Sequence, residues 1–489
     1  MANRRKKYDL VEIARRAMIE RGLEPDFEPR VYRELEKIKG PAAQKRGSIR
    51  DLRDLPWCSI DNDDSEDLDQ ITFAEELSGG SVRVLVGIAD VDAVVKRGSA
   101  IDAHAENNTT SVYTGVKIFP MLPEVLSTDL TSLSEGEDRL AMVVEMIVDG
   151  RGSVGEGDVY GALVRNQAKL AYNGVSAGFD DGDGGEWPRK VSAVEGLERQ
   201  LRIQDETAQR MRELRHERGA LDLETIEPRA VVKDGEVMDM IHEKKNRARE
   251  LIEDFMIGAN GVTARFLDDR GYPSIRRVVR IPRRWSKIVE TAAHHGHVLP
   301  ASPDPAALSK FLAERRSADP LRFPDLSLTV VKLLGAGEYM LDLPGRDAIG
   351  HFGLAVRDYA HSTAPNRRYP DLIIQRLLKA AIEKTESPYG NEELGRLAEH
   401  CTKQEDAADK VERQVRKSAC ALIISGRVGE RFDGIVTGAS PKGTWARVFN
   451  PPAEGKVVAG YEGLDVGDRL RVKLVDVNVE RGYIDFVRV

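Results

Sequence analysis

Six carboxylates and no base fall within the twelve residues from Ser59 to Gln70, between segments with strand character, Ser59-Ile60 and Ile71-Thr72-Phe73. Carboxylates at that density repel one another, and a fold retains them cheaply only in open solvent or around a cation that neutralises them. Because the flanks read as strand ends, the acids are expected on an excursion from a sheet, held by rigid elements. Calcium is the first cation to test. An EF-hand loop starting at Asp61 would need Gly at its sixth position and Glu at its twelfth, and Glu66 and Thr72 stand there instead. Oxygen donors alone fit magnesium better than zinc.

The rest of the chain is ordinary globular protein: 489 residues, 41% hydrophobic and 31% charged, enough for two to four domains. No stretch approaches the roughly 18 uninterrupted apolar residues of a membrane span, and the N-terminus lacks the apolar core of a signal peptide, so a cytoplasmic protein is expected. Cys58, Cys401 and Cys420 form no CxxC pair and read as buried thiols in a reducing compartment. The net charge of -8 conceals an asymmetry, because residues 1–50 carry 14 Lys and Arg against 8 Asp and Glu. A basic face near a carboxylate cluster suits a protein that gathers a polyanion and acts on it with a divalent metal.

Apolar spacing predicts two short helices in the first 40 residues, one around Leu10, Ile13, Ala14 and Met18 and one around Val31, Leu35 and Ile38. They are read as a small helical domain over residues 1–48, resembling a helix-turn-helix able to contact nucleic acid. Residues 51–170 are β-rich, and 173–190, NGVSAGFDDGDGGEWPRK, read as a loop. Helical patterns follow at 197–218, at 246–269 with Leu251, Ile252, Phe255, Met256 and Ala259 on one face, and twice between Arg367 and Ile424. Strands first and helices after indicate an α+β fold. The last 60 residues return to short strands, RFDGIVTGA, TWARVF, RLRVKLVDVN and GYIDFVRV among them, which suit a five-stranded OB-fold β-barrel. Its candidate RNA-facing residues are Phe432, Lys442, Trp445, Arg447 and Phe449, with barrel core as the competing reading for Trp445 and Phe449. His294, His295 and His297 lie on a helical pattern without a cysteine partner and read as surface.

The acidic segment resembles the catalytic signature of the ribonuclease II and R family, in which a strand leads into acids in the pattern I-D-x5-D-x-D-D. Three more blocks agree in order: residues 117–146 resemble the family's PMLPE block, GHFGLAV at 350–356 precedes the next in the expected place, and AHSTAPNRRYPDLIIQRLL at 360–378 resembles its HFTSPIRRYPDL block. The resemblance implies an RNB catalytic domain at 49–425, a sheet packed with helices, followed by the OB-fold domain at 427–489. It implies a processive 3′-to-5′ exoribonuclease that converts single-stranded RNA to nucleoside 5′-monophosphates, a monomer using Mg2+ or Mn2+.

Carried over residue by residue, the resemblance gives Asp61, Asp67 and Asp69 as catalytic metal ligands, with Asp69 indispensable. Gln70 takes the place of the fourth Asp, so one ion is expected and a second is left open. Arg367 is the expected phosphoryl-binding residue, with Arg368 beside it. Tyr113 and Tyr172 are expected to contact RNA, Glu412 to contribute near the site, and Trp445 to bind RNA from the barrel. A third stacking aromatic expected near residues 227–231 is replaced by EPRAV, and where family members typically open with two cold-shock barrels, fewer than 60 residues precede the acidic motif here and they read as helical. The competing reading is an RNA-binding scaffold with weakened catalysis, for which Gln70 is the best support.

Overall fold

The structure, a computed structural model, describes residues 8–42, 49–180, 186–224, 228–233, 236–242, 245–320, 322–440 and 443–489. The first strands are β1 (Arg50–Asp51), β2 (Cys58–Asp61), β3 (Gln70–Glu76), β4 (Val82–Ala89), β5 (Val112–Tyr113), β6 (Ile118–Phe119), β7 (Asp138–Val148), β8 (Val154–Arg165) and β9 (Ala168–Ala171). All but β5 and β6, which form their own hairpin, make one mixed sheet in the order β1-β8-β7-β4-β3-β2-β9. β4, VRVLVGIA, is buried along almost its whole length, which explains why it reads as a continuous apolar run instead of an alternating one. β10 (Pro228–Lys233) pairs with β11 (Glu236–His242), and β12 (Ser274–Val278) with β13 (Glu338–Asp342).

The helices are α1 (Leu10–Ile19), α2 (Pro29–Leu35), α3 (Ala100–Asn108), α4 (Tyr172–Asp180), α5 (Arg189–Ala193), α6 (Leu197–Glu217), α7 (Arg247–Asp269), α8 (Trp285–His294), α9 (Pro305–Ala318), α10 (Phe323–Leu334), α11 (Tyr369–Glu383) and α12 (Asn391–Ile424). The α7 face carrying Leu251, Ile252, Phe255 and Ala259 is buried, as its spacing predicts, while Met256 is only partly so. α7 reaches the sheet at Gly157 of β8, where an added Cβ would stand 2.6 Å from Val262. Glycine is required there for the helix to approach that closely. The expected α+β architecture holds, and the chain ends in a closed barrel of β14 (Arg431–Ser440), β15 (Gly443–Val448), β16 (Glu454–Ala459), β17 (Arg469–Asn478) and β18 (Tyr483–Arg488), ordered β14-β15-β16-β18-β17.

Two expectations need correction. The segment read as a loop at 173–190 begins with α4, in which Val175 and Phe179, one turn apart, are both buried. Gly178 is there for packing: an added Cβ would lie 2.5 Å from the Trp187 ring, which also meets Phe179 edge to face at 5.2 Å. The N-terminal helices also depart from a helix-turn-helix, because α1 packs on α12 and α2 on α3. Leu10 and Ile13 of α1 join the core under the barrel, while Ala14, Ala17 and Met18 meet Ala407, Ala408, Val411 and Val415 of α12. The apolar spacing of α1 therefore marks a brace between α12 and the barrel. The three cysteines are buried thiols, and burial pushes Cys58 up to about 12. His297 lies against Phe311 and beside Glu314. Among the described residues no helix is long and apolar enough to cross a membrane.

Candidate active site

β2 ends at Asp61 and β3 begins at Gln70, so residues 62–69 form the excursion that the sequence implies. The loop is pinned by its one apolar residue. Leu68 is 3% exposed, its N–H donates to Ser132 Oγ at 3.0 Å, and its carbonyl accepts from Leu133 N. Ser132 Oγ in turn donates to the Glu66 carbonyl at 2.8 Å. On the other side Ala89 N of β4 donates to the Asp69 carbonyl at 2.9 Å. The end of the central strand β4 and a serine thus fix where the acids stand.

Asp69 is 2% exposed. Its Oδ1 accepts from Asn366 N at 3.0 Å, and Arg367 Nε lies 3.4 Å from Oδ2. Burial outweighs the arginine and pushes Asp69 up to about 7. Asp67 is raised as well, chiefly by burial and with Asp61 adding to the shift, and Tyr113 Oη donates to its Oδ2 at 3.5 Å. Asp61 turns back on its own loop, accepting from Asn62 N at 2.7 Å and Ser65 Oγ at 3.0 Å.

The segment carrying Arg367 is held by buried partners that sequence reasoning passed over. Asp371, fully buried at the start of α11, accepts from Ala364 N at 2.8 Å and from an Arg368 guanidinium N–H at 2.7 Å. Asn260 of α7 accepts from both Ser362 N and Ser362 Oγ at 2.8 Å, and Thr131 Oγ1 donates to Asn366 Oδ1 at 2.5 Å. Ser111 N donates to the Arg367 carbonyl at 3.0 Å. Arg368 therefore faces inward as a positioning residue, while Arg367 keeps a side chain 44% exposed. Asp371 stands in the quoted RRYPDL block, but a buried hydrogen-bond acceptor has no distinctive spacing.

Tyr113 is 38% exposed, and its backbone N–H donates to Glu412 Oε1 at 2.7 Å, which places Glu412 behind the β5–β6 hairpin. Tyr172 starts α4 immediately after β9, whose Ala171 registers with Asp61. The Arg249 guanidinium lies 4.6 Å from the Tyr172 ring centroid and donates to Asn62 Oδ1 at 2.7 Å, tying that ring to the acidic loop. Arg249 is a further residue the sequence did not single out. In the barrel, Phe432 is core and Trp445 half-buried, whereas Phe449 is 52% exposed, contrary to the core reading for it. Arg447 is committed to Asp325 of α10 at 3.1 Å, and Lys442 lies outside the described residues.

Among the described residues no three His, Cys, Asp or Glu side chains converge tightly enough to hold an ion as they stand. The donor chemistry nonetheless fits a hard cation: Asp67 and Asp69 are raised carboxylates with adjacent negative charge, the state a divalent ion relieves. Gln70 opens β3, paired with Ile88, and brings no charge.

An acidic loop whose Asp69 is buried beneath an arginine-bearing segment, with a five-stranded barrel closing the chain, defines a class of RNB-domain proteins. The RNB domain profile matches residues 49–384, and the RNase II-type exonuclease C-terminal S1 domain profile matches 430–489. The chain belongs to the RNB family, of ribonuclease II and R type. It is 32% identical to ribonuclease R of Thermotoga maritima, covering 95% of this chain and 68% of that one. It is 31% identical to ribonuclease R of Escherichia coli, covering 92% of this chain but 58% of that longer protein. Its fold matches the apo form of Mycoplasma genitalium RNase R with a TM-score of 0.86 at 22% identity, over 98% of this chain and 78% of that one.

Proposed function

We propose that the chain is a metal-dependent 3′-to-5′ exoribonuclease that hydrolyses single-stranded RNA processively to nucleoside 5′-monophosphates. The observation that carries this reading is the pairing of Asp69, buried and raised, with the exposed guanidinium of Arg367. Structural relatives support the substrate class, because Mycoplasma genitalium RNase R has been solved with ribose-methylated single-stranded RNA and with double-stranded RNA.

Asp61, Asp67 and Asp69 would hold Mg2+ or Mn2+, with Gln70 as a neutral oxygen beside them. Bound there, the ion supplies Lewis-acid polarisation of the phosphodiester and a more acidic attacking water. Arg367 donates its fork of N–H groups to the phosphoryl oxygens as charge develops on them. The Tyr113 ring, exposed beside Asp67, offers a base a stacking face, and Tyr172, backed by Arg249, offers a second. The exposed Phe449, with Arg322, Arg447 and Arg469, lines a groove of about 240 Å3 between the barrel and α10, which suits the RNA path into the domain. The protein acts as a monomer in the cytoplasm, and α1 braces the barrel against α12 instead of binding nucleic acid itself.

The test compares 5′-labelled and 3′-labelled single-stranded RNA, each with Mg2+ and with EDTA. A 5′ label that survives on a short remnant while the 3′ label appears at once as mononucleotide, both blocked by EDTA, is the expected result. Internal fragments, or cleavage in EDTA, would overturn it.

A further inference from the structure

A second cavity, apart from the acidic loop, lies where α6 and α7 meet the β7–β8 turn and the 355–358 segment. It measures about 350 Å3, within the roughly 300–1,000 Å3 range of small-molecule sites. Four arginines line it, Arg215, Arg218, Arg265 and Arg357, against two carboxylates, Asp254 and Asp358. Arg215 is spent on Asp254, a buried pair. Arg357 reaches Asp347 at 3.3 Å, but both ends of that pair are exposed, so water screens it and it holds the arginine weakly. Among the described residues, Arg218 and Arg265 have no carboxylate partner at all.

Arg265 is half-buried, and its guanidinium lies along α7 over Gly261, whose added Cβ would stand 3.4 Å from Nη1. A half-buried guanidinium beside a cavity and without a counter-ion is a standing demand for an anion, because its N–H fork matches phosphate oxygens in pairs. Met211, Leu214 and Ile257 supply an apolar side. This division suits a phosphate carried on an organic body better than a bare ion. From Arg249, beside the acidic loop, to Arg265 is 16 residues of one helix, or about 24 Å, so the cavity is distinct from the hydrolytic centre.

We propose that this cavity is a phosphomonoester site that takes a nucleoside 5′-monophosphate, with Arg265 and Arg218 on the phosphate and the apolar wall against the base. The identification of that ligand as the enzyme's own product rests on the exoribonuclease reading above. The wall formed by residues 355–358 runs on to Ser362, held on Asn260, and then to Arg367, so an occupied cavity borders the segment that carries the catalytic arginine.

The test is calorimetric titration of AMP, adenosine and inorganic phosphate into the full chain in EDTA, without RNA. Arg265→Gln, Arg218→Gln and Arg367→Ala are titrated in parallel, and RNA hydrolysis with Mg2+ is measured on the first two. The expected result is saturable AMP binding, weakened at least ten-fold in Arg265→Gln and Arg218→Gln but within two-fold of the parent in Arg367→Ala, with adenosine inert. Binding unchanged in both glutamine variants, binding lost only in Arg367→Ala, or no AMP binding at millimolar concentration would overturn the site. Phosphate that binds as tightly as AMP, with the same dependence on Arg265, would overturn the nucleotide assignment. If RNA is cleaved and AMP does not bind, the cavity proposal falls alone. If AMP binds through Arg265 and RNA is never cleaved, the exoribonuclease reading falls alone.

Discussion

Arg367 Nε stands 3.4 Å from Oδ2 of Asp69, an exposed cation laid across a carboxylate that is itself 2% exposed. The contact is too long to be a strong ion pair, and the arginine side chain keeps 44% of its surface in solvent, so it is available to a phosphate. Arg367→Lys keeps the charge and removes the fork. Single-turnover hydrolysis should slow by about 10²–10³, with a much smaller change in RNA affinity. Equal losses in rate and affinity would assign Arg367 to binding alone.

Asp371 receives the Ala364 N–H and the inward-facing Arg368, and its carboxylate is wholly buried. Asp371→Ala leaves Arg368 without its countercharge, a loss on the order of 3–5 kcal/mol. Urea denaturation should show a lowered midpoint, and a variant as stable as the parent would mean that Arg368 has found another partner.

Tyr113→Ala removes the stacking face beside Asp67, and short single-stranded RNA should bind about 1–3 kcal/mol more weakly. Tyr113→Phe should bind as the parent does, because the Oη contact to Asp67 is long at 3.5 Å. A phenylalanine variant as weak as the alanine one would shift the role from the ring to the hydroxyl.

Two histidines near the Arg367 segment give stability a defined pH dependence. Desolvation, reinforced by Arg277, lowers His351 to about 4, and desolvation also holds His361, set between Tyr339 and Tyr359, well below the usual imidazole range. A folded pKa below the unfolded 6.5 means stability that is full above pH 6.5 and lost as pH falls through 4. For His351 the whole effect is about 3 kcal/mol. Glutamine can still accept from Leu354 N, which His351 Nδ1 does at 3.2 Å, so His351→Gln should flatten the fall in melting temperature between pH 7 and 4.5. Parallel curves would exclude His351 as a source of the slope.

The acidic loop was legible because charge density is a local property, and the long helices because Leu251, Phe255 and Ala259 repeat at helical spacing. The same reasoning failed where tertiary contacts reassign a local signal. Gly178 reads as a loop breaker until the Trp187 ring above it is known, and Leu10 and Ile13 read as one face of a self-contained helical unit until α12 and the barrel cover them. Asn260, Asn366 and Asp371 escaped because their roles are hydrogen bonds whose partners only the fold supplies, such as Ser362 N donating to Asn260 Oδ1 across 102 positions. Arg249 was invisible for the same reason, since only the fold sets it against Tyr172 and Asn62.

The most direct measurement is hydrolysis of 5′-labelled single-stranded RNA in Mg2+ by the parent and by Asp69→Asn, with RNA binding of both followed in EDTA. Asparagine can still accept the Asn366 N–H, so the variant should fold and bind RNA as the parent does while its hydrolysis drops at least about a thousand-fold. An Asp69→Asn protein that degrades RNA within a few-fold of the parent rate would contradict the account, because the chemistry would then lie somewhere other than the acidic loop.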